Sequence, residues 1–315
     1  MAESPRKMFL AGATGQLGSR LVAEWIRIRQ PCVVLTRRPQ RVPAAWLGAL
    51  GNNGEKLIEV VPGDPLVPGD WQKHLTQASG VVNLCGENII AKRWSAPFKE
   101  LLRTSRLVST ANIRQYLVEA KNPCPVVNAS GIGFYGGLGT DEVDESSPGG
   151  DDFLATLCMD WEREIFGPTL PGQRQVALRT GVVLDPKAGA LAKMLPLFRW
   201  GLGGTLGWGT NYTNWIHHAD LTGLILHALS CASVDGPINA VAPNALTNQE
   251  FAQTLGRVMH RPAFCSVPIP MIRLALGEVA KGLITQHRVK PRVALDTGYT
   301  FQFAHLKPAL EDLLG

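Results

Sequence analysis

The chain has 315 residues, of which 45% are hydrophobic and 18% charged, so its composition is that of a globular protein with a sizeable core. Its net charge of +5, without a basic stripe interleaved with aromatic residues, argues against a nucleic-acid-binding protein. The six cysteines form no C-x-x-C pair, which argues against a zinc or redox framework and indicates a reducing compartment. Because we find neither an apolar run long enough to span a membrane nor an apolar signal core, we expect a cytoplasmic protein without a membrane partner.

The first part of the chain alternates short apolar runs with helical patterns. We predict six strands, in the segments KMFLAG, CVVLTRR, LIEVVPGD, GVVNLCG, PVVNAS and QVALRTGVVL. Helical spacing of apolar residues predicts helices over QLGSRLVAEWIRIR, over residues 96–120 and over FLATLCMDWEREIFG, which closes at Gly167. Strands that alternate with helices at this pace predict an α/β fold with a Rossmann-type, doubly wound parallel sheet and right-handed crossovers.

After about Asp185 the alternation stops. A glycine- and aromatic-rich loop, RWGLGGTLGWGTNYTNW, precedes a predicted helix from about Ala219 to Leu229. Further on, Thr247 and Glu250 have the spacing of a capping box at the start of another helix. We therefore predict an N-terminal sheet domain over residues 1–185, to which some later segments return, and a smaller C-terminal α/β lobe over residues 186–315.

Three glycines follow the first predicted strand at the spacing Gly12-x-x-Gly15-x-x-Gly18. Gly12 permits a tight turn, Gly15 lets the backbone approach a pyrophosphate, and Gly18 lets the helix pack closely on the strand. The N-terminus of the following helix supplies free N–H groups and the positive end of a dipole. The alternative is a glycine-rich turn without a ligand, but the flanking strand and helix favour a dinucleotide site.

The end of the second predicted strand indicates which dinucleotide this is. No Asp or Glu lies between Glu24 and Glu55, so the acidic residue that usually binds the ribose 2′-hydroxyl of NAD is missing. The strand ends instead with Thr36, Arg37 and Arg38, whose donors suit a 2′-phosphate. We therefore predict that the N-terminal domain binds NADP(H); the alternative is two solvated arginines in a loop.

Several motifs together resemble those of the extended, or atypical, short-chain dehydrogenase/reductases: GATGQLG, VVNLCGENI, NASGIGFYG, LRTGVVL and NWIHHADL. More narrowly, the chain resembles the nucleotide-sugar-epimerase-like subgroup that is also described as cell-division-inhibitor-like. The resemblance covers nearly the whole chain. It implies an NADP-binding oxidoreductase or epimerase, a substrate site in the C-terminal lobe, and helices 96–120 and 153–166 that commonly build dimers.

The resemblance also assigns residues to the cofactor. It implies that Leu84, Cys85 and Gly86 pack beside the adenine ribose, with Glu87 and Asn88 at the edge of the cleft. It implies further that Arg106 flanks the cofactor and that Val183 lies near the nicotinamide. The full set that we expect to contact NADP(H) is Gly12, Thr14, Gly15, Gln16, Leu17, Gly18, Thr36, Arg37, Arg38, Leu84, Cys85, Gly86, Arg106 and Val183. We expect no metal.

The resemblance fails at the residues that carry the chemistry. The family uses a Ser or Thr, a Tyr and a Lys, with Tyr as general acid and Lys lowering its pKa. No Tyr lies between Tyr135 and Tyr212, and no Lys between Lys121 and Lys187. The Tyr-x-x-x-Lys positions correspond to Leu154 and Cys158, on an apolar helix face whose simplest role is core packing.

The proton donor is therefore open. Tyr135, Ser130 and Glu87 are the candidates: Tyr135 and Ser130 follow a strand end, and a carboxylate near the nicotinamide would have an unusual pKa. Cys158 is a weaker candidate because no Lys or His lies nearby in sequence. The alternatives are packing for Tyr135, a backbone hydrogen bond for Ser130 and a solvated or paired loop acid for Glu87.

Four further polar or aromatic residues have expected roles outside the chemistry. We expect His217 and Asp220 to anchor the loop between the lobes. Arg93 and Trp94 either bind an anionic or planar substrate or cap the long helix.

Two functions fit these observations. The first is an NADP(H)-dependent oxidoreductase or epimerase-like enzyme that acts on an unknown small substrate, as a monomer or a homodimer. The second is a non-catalytic protein that holds NADP(H) for redox sensing or regulation, which the missing Tyr and Lys favour. Loss of a tuned acid typically lowers a rate by about 10²–10⁴-fold, so the first function survives that loss.

Overall fold

The computed structural model describes residues 7–137, 141–207, 209–268, 270–271, 274, 277–278 and 287–315. Trp208, in the predicted glycine- and aromatic-rich loop, and most of 272–286, in the predicted C-terminal lobe, lie outside these residues. The strands in this part of the chain are β1 (Met8–Ala11), β2 (Cys32–Thr36), β3 (Ile58–Pro62), β4 (Gly80–Asn83), β5 (Val126–Gly131), β6 (Glu142–Val143), β7 (Gln175–Thr180), β8 (Val182–Leu184), β9 (Gly204–Leu206), β10 (Tyr212–Thr213), β11 (Trp215–His217), β12 (Gly236–Ala240), β13 (Leu246–Thr247), β14 (Cys265–Val267) and β15 (Arg288–Val289). The helices are α1 (Gln16–Arg27), α2 (Ala44–Leu47), α3 (Ala96–Glu119), α4 (Phe153–Ile165), α5 (Gly189–Arg199), α6 (His218–Ser230), α7 (Asn248–Val258), α8 (Arg292–Asp296) and α9 (Leu306–Leu314).

The main sheet has seven strands in the order β12-β7-β5-β4-β1-β2-β3, and every neighbouring pair is parallel. The predicted Rossmann-type α/β fold is confirmed. The direction in which successive strands are added reverses between β1 and β4. At such a switch point the loops after the strands diverge, and a ligand crevice opens at their carboxyl ends.

Both faces of the sheet are covered by helices because successive strand residues point to opposite faces. From β1, Leu10 packs in a cluster with Leu21, Trp25 and Ile225, which come from α1 and α6. The neighbouring Phe9 packs in a second cluster with Ile113 of α3. The sheet is therefore buried on both faces, as the uninterrupted apolar runs of its strands predict.

Two features of the strands differ from the prediction. The sixth predicted strand is split into two, and a further strand of the main sheet, β12, was not predicted. The predicted strand over QVALRTGVVL divides at Gly181 into β7 in the main sheet and β8, which pairs with β11. A Cβ at Gly181 would lie 2.5 Å from the Asn214 carbonyl oxygen, so this crossing point requires glycine. The outer strand β12 pairs with β7, so a segment from the second half of the chain completes the sheet.

The C-terminal lobe has its own apolar cluster, built from α5, α7 and α9 and including Leu195, Phe251 and Leu310. The capping box at α7 forms as predicted, since the Thr247 hydroxyl accepts from Glu250 N and the Glu250 carboxylate accepts from Thr247 N. Asp220 at the start of α6 accepts hydrogen bonds from Gln302 N and Phe303 N, which fastens the C-terminal segment to the sheet domain. Among the described helices, we find none that is both long and apolar enough to cross a membrane.

Candidate functional site

The turn between β1 and α1 lines the crevice at the carboxyl end of β1. Gly12 has a φ of +86°, and a Cβ there would lie 2.8 Å from the backbone of Leu84. A Cβ at Gly18 would lie 2.3 Å from the Gly12 carbonyl oxygen. Gly15 is exposed and forms the N-cap of α1, so its face of the turn is open. The first and third glycines are thus required by packing, while the second leaves room for a ligand at the helix N-terminus.

A cavity of about 600 Å³ extends from this turn over the end of β2. Its wall contains Thr36, Arg37, Arg38 and Arg41, so three guanidinium groups surround one end. Arg37 and Arg38 are exposed, and the buried Thr36 hydroxyl accepts a hydrogen bond from Arg38 N at 3.1 Å. Arg41, on the short turn that begins at Pro39, was missed from the sequence. Its position a few residues after Arg37 and Arg38 could have identified it. This end of the crevice has the charge that a 2′-phosphate needs.

A second cavity, of about 760 Å³, continues from the glycine turn toward the C-terminal lobe. The two cavities share Gly12, Gly15, Leu84, Gly86 and Glu87, so they form one crevice along the switch point. Each of the residues predicted to contact NADP(H) lines one cavity or both. The described structure therefore brings the predicted set together along one continuous groove.

Gln16 and Arg106 are held differently within the groove. The Gln16 amide nitrogen is buried without a hydrogen-bond partner and lies beside Gly189 at the start of α5. The Arg106 guanidinium donates to the Glu87 carbonyl oxygen at 2.9 Å and lies 5.2 Å from the centre of the Trp161 ring. Burial lowers the pKa of Arg106 from its ordinary value, although Cys158 and Glu87 oppose this. Arg106 and Gln16 thus both line the second cavity, Arg106 with a guanidinium that is already hydrogen-bonded and Gln16 with an amide nitrogen that has no partner.

The three candidate proton donors lie in different environments. Glu87 lines both cavities and is half-buried, with its backbone N–H bound to Ser105 Oγ. Ser130 lines the second cavity at the end of β5, but its hydroxyl donates to the buried Glu162 carboxylate at 2.7 Å and not to the backbone. The expected alternative of a backbone hydrogen bond for Ser130 is therefore wrong.

Tyr135, the other candidate that follows a strand end, lines neither cavity. Its neighbours Ile132 and Gly133 line the second cavity, whereas Tyr135 is 4% exposed and packs elsewhere. Its hydroxyl donates to Asn239 Oδ1 at 2.8 Å and accepts from Arg179 at 2.9 Å. Burial raises the pKa of Tyr135 to about 12 against the opposing effect of Arg179. The turn of helix after β5 directs this ring under the sheet edge, so it is a poor proton donor.

Leu154 and Cys158 line the second cavity as well as packing in α4. Both face the groove where the family resemblance places Tyr and Lys, so core packing alone does not describe them. Burial raises the pKa of the Cys158 thiol to about 12, and the Glu162 charge acts in the same direction. Cys158 is therefore a neutral thiol near neutral pH, neither a thiolate nucleophile nor a substitute for the lysine cation.

A buried ion pair beneath the cavity wall was missed from the sequence. Arg179 of β7 binds both oxygens of Glu162, at 2.8 Å and 2.7 Å, and both side chains are almost fully buried. Burial alone would lower the pKa of Arg179, but the hydrogen bonds and charge of Glu162 outweigh it and raise that pKa. Arg179 was overlooked because it lies in an apolar strand and its partner lies in a different element.

The remaining candidates have structural contacts. His217 Nδ1 accepts from Ala219 N at the start of α6, and its ring stacks on Phe303. Trp94 donates to the Ile89 carbonyl oxygen and packs against Phe153, and Arg93 donates to the carbonyl oxygen of Leu274. Ser95 caps α3 instead of Arg93 or Trp94, since its hydroxyl accepts from Phe98 N.

A glycine turn at the switch point of a parallel sheet, continuous with a cluster of arginines after β2, defines a Rossmann-type dinucleotide-binding protein. Comparison with known families agrees. Residues 8–154 match the model of the NAD dependent epimerase/dehydratase family, and residues 267–313 match a domain of unknown function, DUF1731.

Individual relatives narrow this class. The chain is 42% identical over 316 residues to mouse epimerase family protein SDR39U1, covering 98% of this chain and 99% of the mouse protein. The crystal structure of human epimerase family protein SDR39U1 (isoform 2) with NADPH has a TM-score of 0.83 and 32% identity, covering 98% of both chains. A nucleoside-diphosphate sugar epimerase from Corynebacterium glutamicum has a TM-score of 0.73 and 29% identity, covering 98% of this chain and 58% of that chain. The protein belongs to the epimerase family, in the group of SDR39U1-like epimerase family proteins.

Proposed function

We propose that this protein binds NADP(H) in the groove and acts as an NADP(H)-dependent oxidoreductase on a small carbonyl or hydroxyl compound. The observation that carries the proposal is the continuity of the glycine turn with Thr36, Arg37, Arg38 and Arg41 in one cavity. The NADPH in the human relative supports it. The proposal that the protein is an oxidoreductase rests on the second cavity, which offers space for a substrate beside Val183 and Gly86.

We place the cofactor along the groove, with its 2′-phosphate at the arginines and its nicotinamide toward the second cavity. The open face of Gly15 and the first N–H groups of α1 would bind the pyrophosphate, since Gly12 and Gly18 leave no room for side chains there. The arginines would bind the 2′-phosphate through charge-assisted hydrogen bonds. The unpartnered Gln16 amide lies where the groove passes into the second cavity and would donate to an oxygen there.

When bound, NADPH supplies a hydride to a carbonyl carbon, and the carbonyl oxygen takes up a proton to complete the alcohol. Of the predicted donors, Ser130 is the one that a buried partner holds at the cavity wall, because its hydroxyl donates to the Glu162 carboxylate. Ser130 Oγ would accept a hydrogen bond from the substrate hydroxyl and position it, while the Ser130 hydroxyl continues to donate to Glu162. The substrate proton would leave for water in alcohol oxidation and arrive from water in carbonyl reduction, so neither direction needs a proton on the carboxylate that Arg179 binds.

Two measurements test this function. The protein is titrated with NADPH and with NADH, and NADPH oxidation is then followed with a set of small aldehydes and ketones. We expect tighter binding of NADPH than of NADH, and turnover that Ser130→Ala lowers by about 10²–10⁴-fold while Cys158→Ala leaves it within a few fold. Equal affinity for the two dinucleotides would contradict the cofactor assignment.

A second candidate function is an NADP(H)-binding redox sensor without turnover. Leu154 and Cys158 favour it, since an apolar residue and a neutral thiol line the groove where the family keeps its acid and base. Tight NADPH binding with no carbonyl reduced, and with equal NADPH affinity in Ser130→Ala, would support the sensor over the enzyme.

A further inference from the structure

We infer that the second cavity accepts a substrate whose body is apolar, a hydrophobic aldehyde, ketone or alcohol, and not a nucleoside-diphosphate sugar. The inference rests on the proposed function, because it concerns the compound that would lie beside the nicotinamide. It specifies the class of substrate, which the sequence leaves unknown.

The cavity has two apolar walls. The wall from the sheet domain contains Ile89, Leu154 and Leu157, which pack in one hydrophobic cluster with Phe98 and Leu102. The wall from the C-terminal lobe contributes apolar residues of the cluster of α5 and α7, namely Leu191, Met194 and Phe251. The same wall also contains polar residues: Asn211, Tyr212, Thr213, Asn214 and Asn248. A ligand between these walls meets carbon on both sides.

Two of the polar side chains of the lobe wall, Asn214 and Asn248, are bound to their own chain. Asn248 Oδ1 accepts from Leu206 N at 2.6 Å, and its amide nitrogen donates to Thr213 Oγ1 at 3.3 Å. Asn214 donates to the His287 carbonyl oxygen and accepts from Val289 N. These amides hold the loops of the lobe together, so they do not offer a ready-made set of hydrogen bonds to a sugar.

A diphosphate in this cavity would be poorly matched. Two phosphates need several cations or clustered N–H donors, and desolvating them against carbon is costly. Arg106 is the one Lys or Arg among the described residues that line this cavity. Its guanidinium already donates to the carbonyl oxygens of Leu102 and Glu87. By contrast, the arginine cluster lies in the first cavity, at the far end of the groove.

An apolar body fits the same walls. Each methylene group that moves from water to such a surface improves affinity by about threefold to fourfold, until the chamber is full. The polar requirement is at the reacting oxygen: Ser130 Oγ can accept from its hydroxyl form, and Gln16, whose amide nitrogen has no hydrogen-bond partner, lines the same cavity. The structure thus provides polar groups for the reacting oxygen and apolar side chains from both walls for the body of the substrate.

Binding of unreactive carbonyl probes tests the inference without requiring turnover. NADPH-loaded protein is titrated by calorimetry with butanamide, hexanamide, octanamide and decanamide, and separately with UDP-glucose. We expect affinity to rise by about threefold to fourfold per methylene, and no competition from UDP-glucose. Displacement of the amide from NADPH-loaded protein by UDP-glucose would overturn the inference. An amide affinity that does not rise with the length of the alkyl chain would also overturn it.

A pair of variants on α5 locates the chamber. Met194 lines the cavity, whereas Leu197, one turn further on, is 52% exposed. Met194→Glu is expected to lower decanamide affinity by at least tenfold with NADPH affinity unchanged, and Leu197→Glu to change neither. Unchanged decanamide affinity in Met194→Glu would overturn the inference, and the wild-type series decides the matter if that variant does not fold. Failure of the wild-type protein to bind NADPH would instead overturn the proposed function, so the two failures are distinguishable.

Discussion

Ser130 Oγ and the Glu162 carboxylate are joined by a hydrogen bond of 2.7 Å just beneath the wall of the second cavity. The same carboxylate binds Arg179 through two nitrogens, and both side chains are almost fully buried. Removing one partner of a buried pair leaves the other charge without compensation. We therefore predict that Glu162→Gln lowers the free energy of unfolding by about 3–5 kcal/mol, as measured by urea denaturation.

The matched control is a more exposed carboxylate on a helix. Glu24 pairs with Arg27, whose side chain is 71% exposed, so Glu24→Gln is expected to change stability little. An equally small loss in Glu162→Gln would mean that the Arg179 pair contributes little to the fold. It would then also be a weak anchor for Ser130.

Tyr135→Phe should separate packing from catalysis. The variant removes a hydroxyl that binds Asn239 and Arg179, so we expect a stability loss of about 1–3 kcal/mol. Because Tyr135 is not part of the cavity wall, NADPH affinity and any turnover should stay within a few fold of the wild type. A rate that falls by orders of magnitude in a folded variant would restore Tyr135 as the acid.

The glycines of the turn are predicted to fail in different ways. A Cβ at Gly18 meets backbone atoms at 2.3 Å and 2.5 Å, so Gly18→Ala should lose at least about 1–3 kcal/mol of stability. A Cβ at Gly15 meets only the Gly12 carbonyl oxygen, at 3.3 Å, so Gly15→Ala should fold. Its methyl group would project into the phosphate position, and NADPH affinity should fall by roughly tenfold or more. Calorimetric titration and thermal unfolding of both variants measure the contrast, which normal NADPH binding by Gly15→Ala would contradict.

His217 should make the fold sensitive to acid. Burial lowers the pKa of His217 from 6.5 to about 4, with a smaller contribution in the same direction from His218. As the pH falls from 6.5 toward 4, the unfolded chain takes up a proton that the folded protein does not, so stability falls by up to about 3 kcal/mol. His217→Asn keeps an acceptor for Ala219 N but does not titrate. Urea unfolding at several pH values should show a shallower slope for this variant; an identical slope would assign the sensitivity to other groups.

The sequence was most informative where the signal is local. The first five strands, the long helix α3 and the capping box at Thr247 follow from periodicity or from a fixed short spacing, and each is present, whereas the sixth predicted strand is split into β7 and β8. The glycine turn is equally local, because the constraints on Gly12 and Gly18 come from neighbours in the same turn and in the adjacent strand loop.

The features that were missed depend on residues far apart in the chain. β12 pairs with β7, which lies more than fifty residues earlier in the chain. Nothing in the sequence of β12 and the residues after it, GPINAVAP, specifies which strand it pairs with. The network of Ser130, Glu162, Arg179 and Tyr135 joins β5, α4, β7 and the turn after β5. The direction of the Tyr135 ring depends on that turn of helix, which the motif FYG does not reveal.

The central claim is that the arginines after β2 select NADP(H), and the most direct test is calorimetric titration of NADPH and NADH into wild type and Arg37→Glu. Arg29→Glu is the control, since it makes the same change of charge just beyond the opposite end of α1. We predict that wild type prefers NADPH, that Arg37→Glu lowers NADPH affinity by about tenfold or more with much less effect on NADH, and that Arg29→Glu changes neither. Equal affinities for NADPH and NADH in wild type, or a parallel loss of both in Arg37→Glu, would contradict the account.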